Sequence, residues 1–171
     1  MSERRQRPDR AFVVAGPDDA VALRDLEREA NLASLGQVFP PDRFPYPADD
    51  VLARWHIVLT DPDATTLVVR ADHGGLDALV AFDSASVRHL AVRPVHWGTG
   101  LARAALGHAV RAITAEGEGP AELWCLVDNH RARGLYEHLG WSATADRQEA
   151  PWPPHPVEMR YLLPGTASRP A

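Results

Sequence analysis

Gly98 and Gly100 sit in a short turn, Val92–Ala102, that runs from an apolar segment through Pro94 into a long helical pattern. Without Cβ atoms, two glycines let the backbone turn tightly and come close to a ligand. The first free N–H groups of the following helix then point outward with the positive end of the helix dipole behind them. Such a turn suits an anion, a phosphate or a diphosphate. A dinucleotide fingerprint would need a third glycine where Arg103 stands, and a strand running directly into the turn. A nucleotide-binding P-loop would need a lysine, and the chain has none: all 18 basic residues are arginines.

The other chemistry-bearing residues exclude more than they promise. Eight histidines and a single cysteine, Cys125, form no Cys/His ligand pattern and no HExxH, so no metal is expected. One cysteine cannot form an internal disulfide, which points to a cytoplasmic protein; its place in an apolar segment makes it a core residue rather than a nucleophile. The net charge is −5, and no basic stripe is present outside four arginines in residues 4–10. Nucleic-acid binding rests on neutralising phosphates and is not expected. No apolar run reaches the roughly 18 residues of a membrane span. With 45% hydrophobic and 24% charged residues over 171 positions, the chain can build a core of one domain. That domain is expected over 11–163, with residues 1–10 and 164–171 as disordered tails.

The elements that must position the turn follow from periodicity. Ala11–Ala15 reads as a strand, and Gly16-Pro17-Asp18-Asp19 starts a helix to about Leu32. Residues 38–47 (VFPPDRFPYP) are too proline-rich for a helix. Asp49 or Asp50 is expected to cap a second helix through Val51, Trp55 and Val58. Strands at 65–70, 76–82 and 86–92, joined by short polar turns, predict antiparallel hairpins. Ala102, Ala105, Leu106, Ala109, Val110 and Ile113 make one face of the long helix. The segment 121–127 (AELWCLV) reads as a strand covered on both faces. A short helix capped by Asp128-Asn129 ends at Gly140, and strands at 142–148 and 157–163 close the chain. The order β-α-α-β-β-β-α-β-α-β-β defines an α/β fold: a mixed, mostly antiparallel central sheet with flanking helices and a parallel crossover near residue 100.

Two blocks, LAVRPVHWGTGLARAAL (90–106) and LWCLVDNHRARGLYEHLGW (123–141), resemble the GNAT N-acetyltransferase superfamily, which moves acyl groups from acyl-CoA, usually to amines. The superfamily's diphosphate signature, Gln/Arg-x-x-Gly-x-Gly/Ala, is met by Trp97-Gly98-Thr99-Gly100-Leu101-Ala102, with Trp97 in place of Gln/Arg. Asn129, Ala132 and Tyr136 match its Asn-x-x-Ala-x-x-x-Tyr element. The resemblance implies that strands 86–92 and 121–127 splay apart around the pantetheine arm. Backbone groups of Leu90 and Val92 would bond its amides, Asn129 would hold it from the other side, and an N–H near Ala91 or Val92 would stabilise the oxyanion. Tyr136 would donate a proton to the departing thiolate; the alternative is a core aromatic on the face of Ala132, Leu135 and Leu139.

The superfamily often places a base on the strand before the loop, where this chain has Ser86 and Arg88. On the next strand the matching position is Trp124, and Glu122, which shares its parity, is the tentative base through a water. His89 is expected on the face opposite Ser86. Arg88 either pairs with an anionic group of the acceptor or forms a structural salt bridge. Phe39, Phe44 and Tyr46, with Trp152 and His155, are expected to wall the acceptor pocket. The expected activity is acetyl transfer from acetyl-CoA, or another short acyl-CoA, to the amine of a small molecule or peptide in a ternary complex. The alternative is an acyl-CoA-binding sensor or scaffold of the same fold. Either a monomer or a homodimer fits.

Overall fold

Alternating and 3.6-residue apolar patterns sort the chain into seven strands and four helices, seen in a computed structural model that describes residues 11–72, 74–117 and 119–165. The strands are β1 (Val13–Val14), β2 (Thr65–Arg70), β3 (Leu76–Phe82), β4 (Ser86–Val92), β5 (Ala121–Leu126), β6 (Ser142–Glu149) and β7 (Val157–Leu163). The helices are α1 (Ala20–Ser34), α2 (Ala48–Thr60), α3 (Leu101–Glu116) and α4 (His130–His138). One sheet holds all seven strands in the order β1-β2-β3-β4-β5-β7-β6. Every neighbouring pair is antiparallel except β4 and β5, which the α3 crossover makes parallel. The expected tails lie outside the described residues at 1–10 and 166–171; Pro164 and Gly165 are described and carry no regular structure.

The sheet separates two apolar layers. On one face α1 and α2 bury Leu23, Leu26, Val51 and Trp55 against Val68, Leu79, Ala81 and Ala91. On the other, α3 and α4 bury Ala105, Leu106, Ala109, Ile113 and Tyr136 against Val80, Phe82, Leu123 and Tyr161. Strand β3 lies between both layers, and all seven of its residues are buried.

Two expectations need correction. Neither Asp49 nor Asp50 caps α2; the N-cap is Pro47, and both acids lie in the first helical turn, where they complement the dipole. Strand β5 is not covered on both faces: Ala121, Leu123 and Cys125 are buried, while Glu122, Trp124 and Leu126 are only half-buried. The layer formed by α1 and α2 covers β2, β3 and β4 and stops short of β5, so that side of the strand stays open.

Strand β4 also carries a bulge. Phe82 lies opposite Val87 but Ala81 lies opposite His89, so Arg88 is the extra residue. Beyond it the side chains exchange faces. Val87 packs with the α3 layer, whereas His89 sits against Trp55 of α2, with ring centroids 4.9 Å apart. The expectation that His89 opposes Ser86 assumed unbroken alternation; the bulge brings the two to the same face.

Candidate active site

The parallel pairing of β4 and β5 lasts for two positions, Ser86 with Glu122 and Val87 with Leu123. Beyond them the strands part. A cavity of about 700 Å³ opens there, reaching from α1 on one face to α4 on the other. The geometry of β4 decides which backbone groups look into it. Arg93 N–H donates to Asp77 O at 2.9 Å, so the antiparallel alternation assigns the Ala91 groups to Leu79 in β3. The groups of Leu90 and Val92 therefore turn toward the gap. The oxyanion donor expected near Ala91 or Val92 is narrowed to Val92, because the Ala91 N–H is spent in the ladder.

At the end of the gap the turn enters α3. Gly98 and Gly100 have φ of 75° and 88°, a region that side chains with a Cβ rarely adopt. Among the described residues, the N–H groups of Gly98, Gly100, Leu101, Ala102 and Arg103 find no acceptor, whereas Ala104 N–H already bonds to Gly100 O at 3.0 Å. Thr99 does not line the cavity; its hydroxyl donates to His96 O at 2.7 Å and steadies the turn. Trp97 does not face the anion site as a polar residue would. Its indole N–H donates to Val92 O at 2.8 Å, and its ring lies 4.1 Å under the guanidinium of Arg131. Arg131 and Arg103 both line the cavity, and neither has an acidic partner among the described residues. The motif reading left out these two cations, although each stands within three residues of a motif position.

Across the gap, Asn129 caps α4, its Oδ1 accepting from Ala132 N–H at 3.2 Å, which leaves its amide N–H groups free to donate. Gly140, with φ of 89°, ends the helix and lets Trp141 N–H reach Tyr136 O at 3.0 Å. Arg133 donates to Tyr161 Oη at 3.1 Å and to Val127 O at 2.9 Å, tying α4 to the ends of β5 and β7. So held, the Tyr136 ring is 7% exposed, lines the cavity, and has no hydrogen bond to its hydroxyl among the described residues. Burial pushes its pKa above the ordinary phenol value. Cys125 lines the same cavity, but burial pushes its thiol up to about 12, so it stays protonated at neutral pH.

Of the polar residues expected around the acceptor, Ser86 and Glu122 lie outside the cavity, and Arg88 lines it but is held by carboxylates. Glu122 sits at the closed end of the β4–β5 pair, clasped by the Arg160 guanidinium. Ser86 Oγ donates to Asp83 at 2.9 Å in the turn before β4. Arg88 donates to Asp83 at 2.7 Å and to Asp61 at 2.9 Å. Both carboxylates are held below the usual range, that of Asp83 against the opposing effect of its burial. Arg88 thus takes the structural salt bridge of its two readings, and Glu122 as base is set aside. Trp124 does line the cavity. Phe39, Phe44 and Tyr46 gather with Trp152 around a second cavity, while His155 turns away and contacts Ala150 O.

On the α1 side the cavity meets two titratable groups: Glu27, which no motif singles out, and His89, which unbroken alternation would have turned to the other face. Glu27 is half-buried, bonded to Arg54 and, at 3.2 Å, to the Trp55 indole N–H; desolvation raises its pKa against the pull of Arg54. It lies in the stripe Leu23, Leu26, Glu27, Ala30, and a lone acid in an apolar stripe is a readable signal. His89 is half-buried too, and desolvation lowers its pKa to about 3, so its ring is neutral. Among the described residues no cluster of His, Cys, Asp and Glu could hold a metal ion, and no helix is long and apolar enough to cross a membrane.

Comparison with known proteins places this geometry in a class. Residues 22–141 match the Acetyltransferase (GNAT) family, to which the chain belongs. Three solved structures illustrate the likeness. The ribosomal-protein-S18-alanine N-acetyltransferase from Escherichia coli superposes with a TM-score of 0.66 at 18% identity, over 93% of this chain and 96% of its own. PaiA N-acetyltransferase from Thermoplasma acidophilum, solved in complex with coenzyme A, gives 0.63 at 13%, over 88% and 98%. Nourseothricin acetyltransferase gives 0.55 at 24%, over 61% and 67%. At these identities the likeness speaks for the fold. No curated protein matches the sequence.

Proposed function

We propose that the protein transfers an acetyl group from acetyl-CoA, or another short acyl-CoA, to the amine of a small molecule or peptide, both bound at once. The observation that carries this is the continuity of one cavity from the unpaired amides of Gly98 and Gly100–Arg103 to the parted strands β4 and β5. Those amides and the guanidinium groups of Arg103 and Arg131 fit a diphosphate. Leu90, the Val92 N–H and Asn129 are placed to bond an extended amide-bearing arm in the gap. When bound, acyl-CoA supplies a thioester as the acyl donor.

The chain's own residues divide the remaining work. The Val92 N–H is oriented to stabilise developing negative charge on the acyl oxygen, worth about 3 kcal/mol for one good donor. Tyr136 Oη holds the proton that the leaving sulfur needs. Because its pKa is raised, full transfer to a thiolate near ~8.5 is uphill; its contribution is a hydrogen bond that strengthens as charge builds on sulfur. His89, its pKa lowered by desolvation, is a poor base, and Glu27 is engaged by Arg54, so an alkyl ammonium acceptor loses its proton to solvent before attack, at about 4 kcal/mol for a pKa near ~10.

The engagement of Glu27 by Arg54 and the poor basicity of His89 favour one second reading, an acyl-CoA sensor without turnover. The experiment is thiol release from acetyl-CoA across a panel of amines, run beside thermal unfolding with and without CoA. Release with at least one amine together with stabilisation supports transfer. Stabilisation without release on any acceptor supports the sensor, and neither result overturns both.

A further inference from the structure

Beside the gap lies a second cavity of about 350 Å³, enclosed by the segment between α1 and α2 and by the loop joining β6 and β7. Phe39, Phe44, Tyr46 and Trp152 wall it, with Leu32 beneath. Aromatic walls stack flat rings and exclude water. The space is roughly twice the ~150 Å³ that takes one benzene ring. Its charges do not make a clamp for a polycation or a polyanion. Glu27 is bound to Arg54, Arg43 lies 5.6 Å over the Phe44 ring, and Asp50 alone remains as an exposed carboxylate.

Two residues line both cavities, Glu27 and Asn31, one helical turn apart on α1. The Asn31 side chain has no hydrogen bond among the described residues, so its amide is available at the junction. We propose that the second cavity takes the flat apolar body of the acceptor, making the acceptor an arylalkyl amine whose nitrogen passes Asn31 into the gap. The proposal rests on the acyl-transfer reading and names its acceptor class. In the step, the neutral nitrogen forms the new C–N bond and one N–H proton passes to solvent. The C–S bond breaks with its electron pair on sulfur, which leaves as a thiolate held by the hydrogen bond from the Tyr136 hydroxyl and takes its proton from solvent.

The test compares 2-phenylethylamine with ethylamine and spermidine in thiol release, and measures thermal stabilisation of the CoA-bound protein by each amine. The expected result is a kcat/KM for 2-phenylethylamine above ethylamine by about ten-fold, the scale of burying part of a ring. Leu32→Trp, at a half-exposed helical position, fills the cavity, and Phe44→Ser opens its wall. Each should cut the ratio of the two kcat/KM values about ten-fold. A preference for ethylamine or spermidine, or a ratio unchanged in both variants, overturns the proposal. If no amine is acylated, the transfer reading fails separately. Stabilisation by 2-phenylethylamine that Leu32→Trp abolishes then upholds the cavity as an aryl-amine site, and its absence overturns that as well.

Discussion

Tyr136 meets the gap between β4 and β5 as a buried phenol, fully protonated through the neutral range. Replacing it with phenylalanine keeps the ring contacts to Trp141 and Tyr161, with centroids 6.1 and 5.8 Å away, and removes the proton. Tyr136→Phe is therefore expected to lower kcat by about 10² while leaving the thermal stabilisation by CoA in place. Steady-state rates and melting curves with CoA check both halves; an unchanged kcat would end the proton-donor role. Tyr136 was legible because its neighbours at fixed spacing, Asn129 and Ala132, belong to one helix and its cap. Ser86, Arg88 and Glu122 were not, because what occupies them is remote or lies in a turn. Asp61 is 27 residues from Arg88, and Arg160 is 38 from Glu122. A side chain's type announces what it can bond, and only the fold decides which partner reaches it first.

Strand boundaries were legible wherever an apolar-rich segment lay between short polar turns, as for β2, β3, β4 and β7. The bulge at Arg88 was not, since inserting one residue into a ladder leaves no mark in composition. Nor was the open side of β5, which depends on where α1, the helix bordering the gap, lies across the sheet. The α3 entrance was legible because positive φ selects glycine. Gly100 has room around an added Cβ but φ of 88°, so Gly100→Val is resisted by the backbone rather than by a neighbour. Its strain of about 1 to 3 kcal/mol relaxes by turning the amides away from the anion. Calorimetry should show CoA affinity falling by about ten-fold or more, with α3 and the fold retained by circular dichroism. Equal affinity in wild type and variant would remove the turn from the binding site.

The whole molecule responds to pH through His89. Its ring is neutral and packed against Trp55, with a pKa of about 3, whereas the unfolded chain protonates it near ~6.5. Protonation therefore favours the unfolded state: this contribution is fully present above about 6.5 and is lost as pH falls toward 3. The slope is at most about 1.4 kcal/mol per pH unit in that window. Urea unfolding at pH 7, 6 and 5 should show it, and His89→Phe, which preserves a ring against Trp55, should flatten the line. An identical slope in the variant would mean other groups set the acid limit.

Among the described residues, the β1–β4 and β5–β7 halves of the sheet are registered strand to strand at two positions. A ladder missing its middle rungs is finished by whatever lies down along the break. Amide hydrogens of Leu90 and Val92 should then exchange with deuterium quickly in the free protein and slow sharply once CoA is added, while Ala91, between them, keeps the same pace in both. The molecule would thus report its cargo in alternate beats along a single strand.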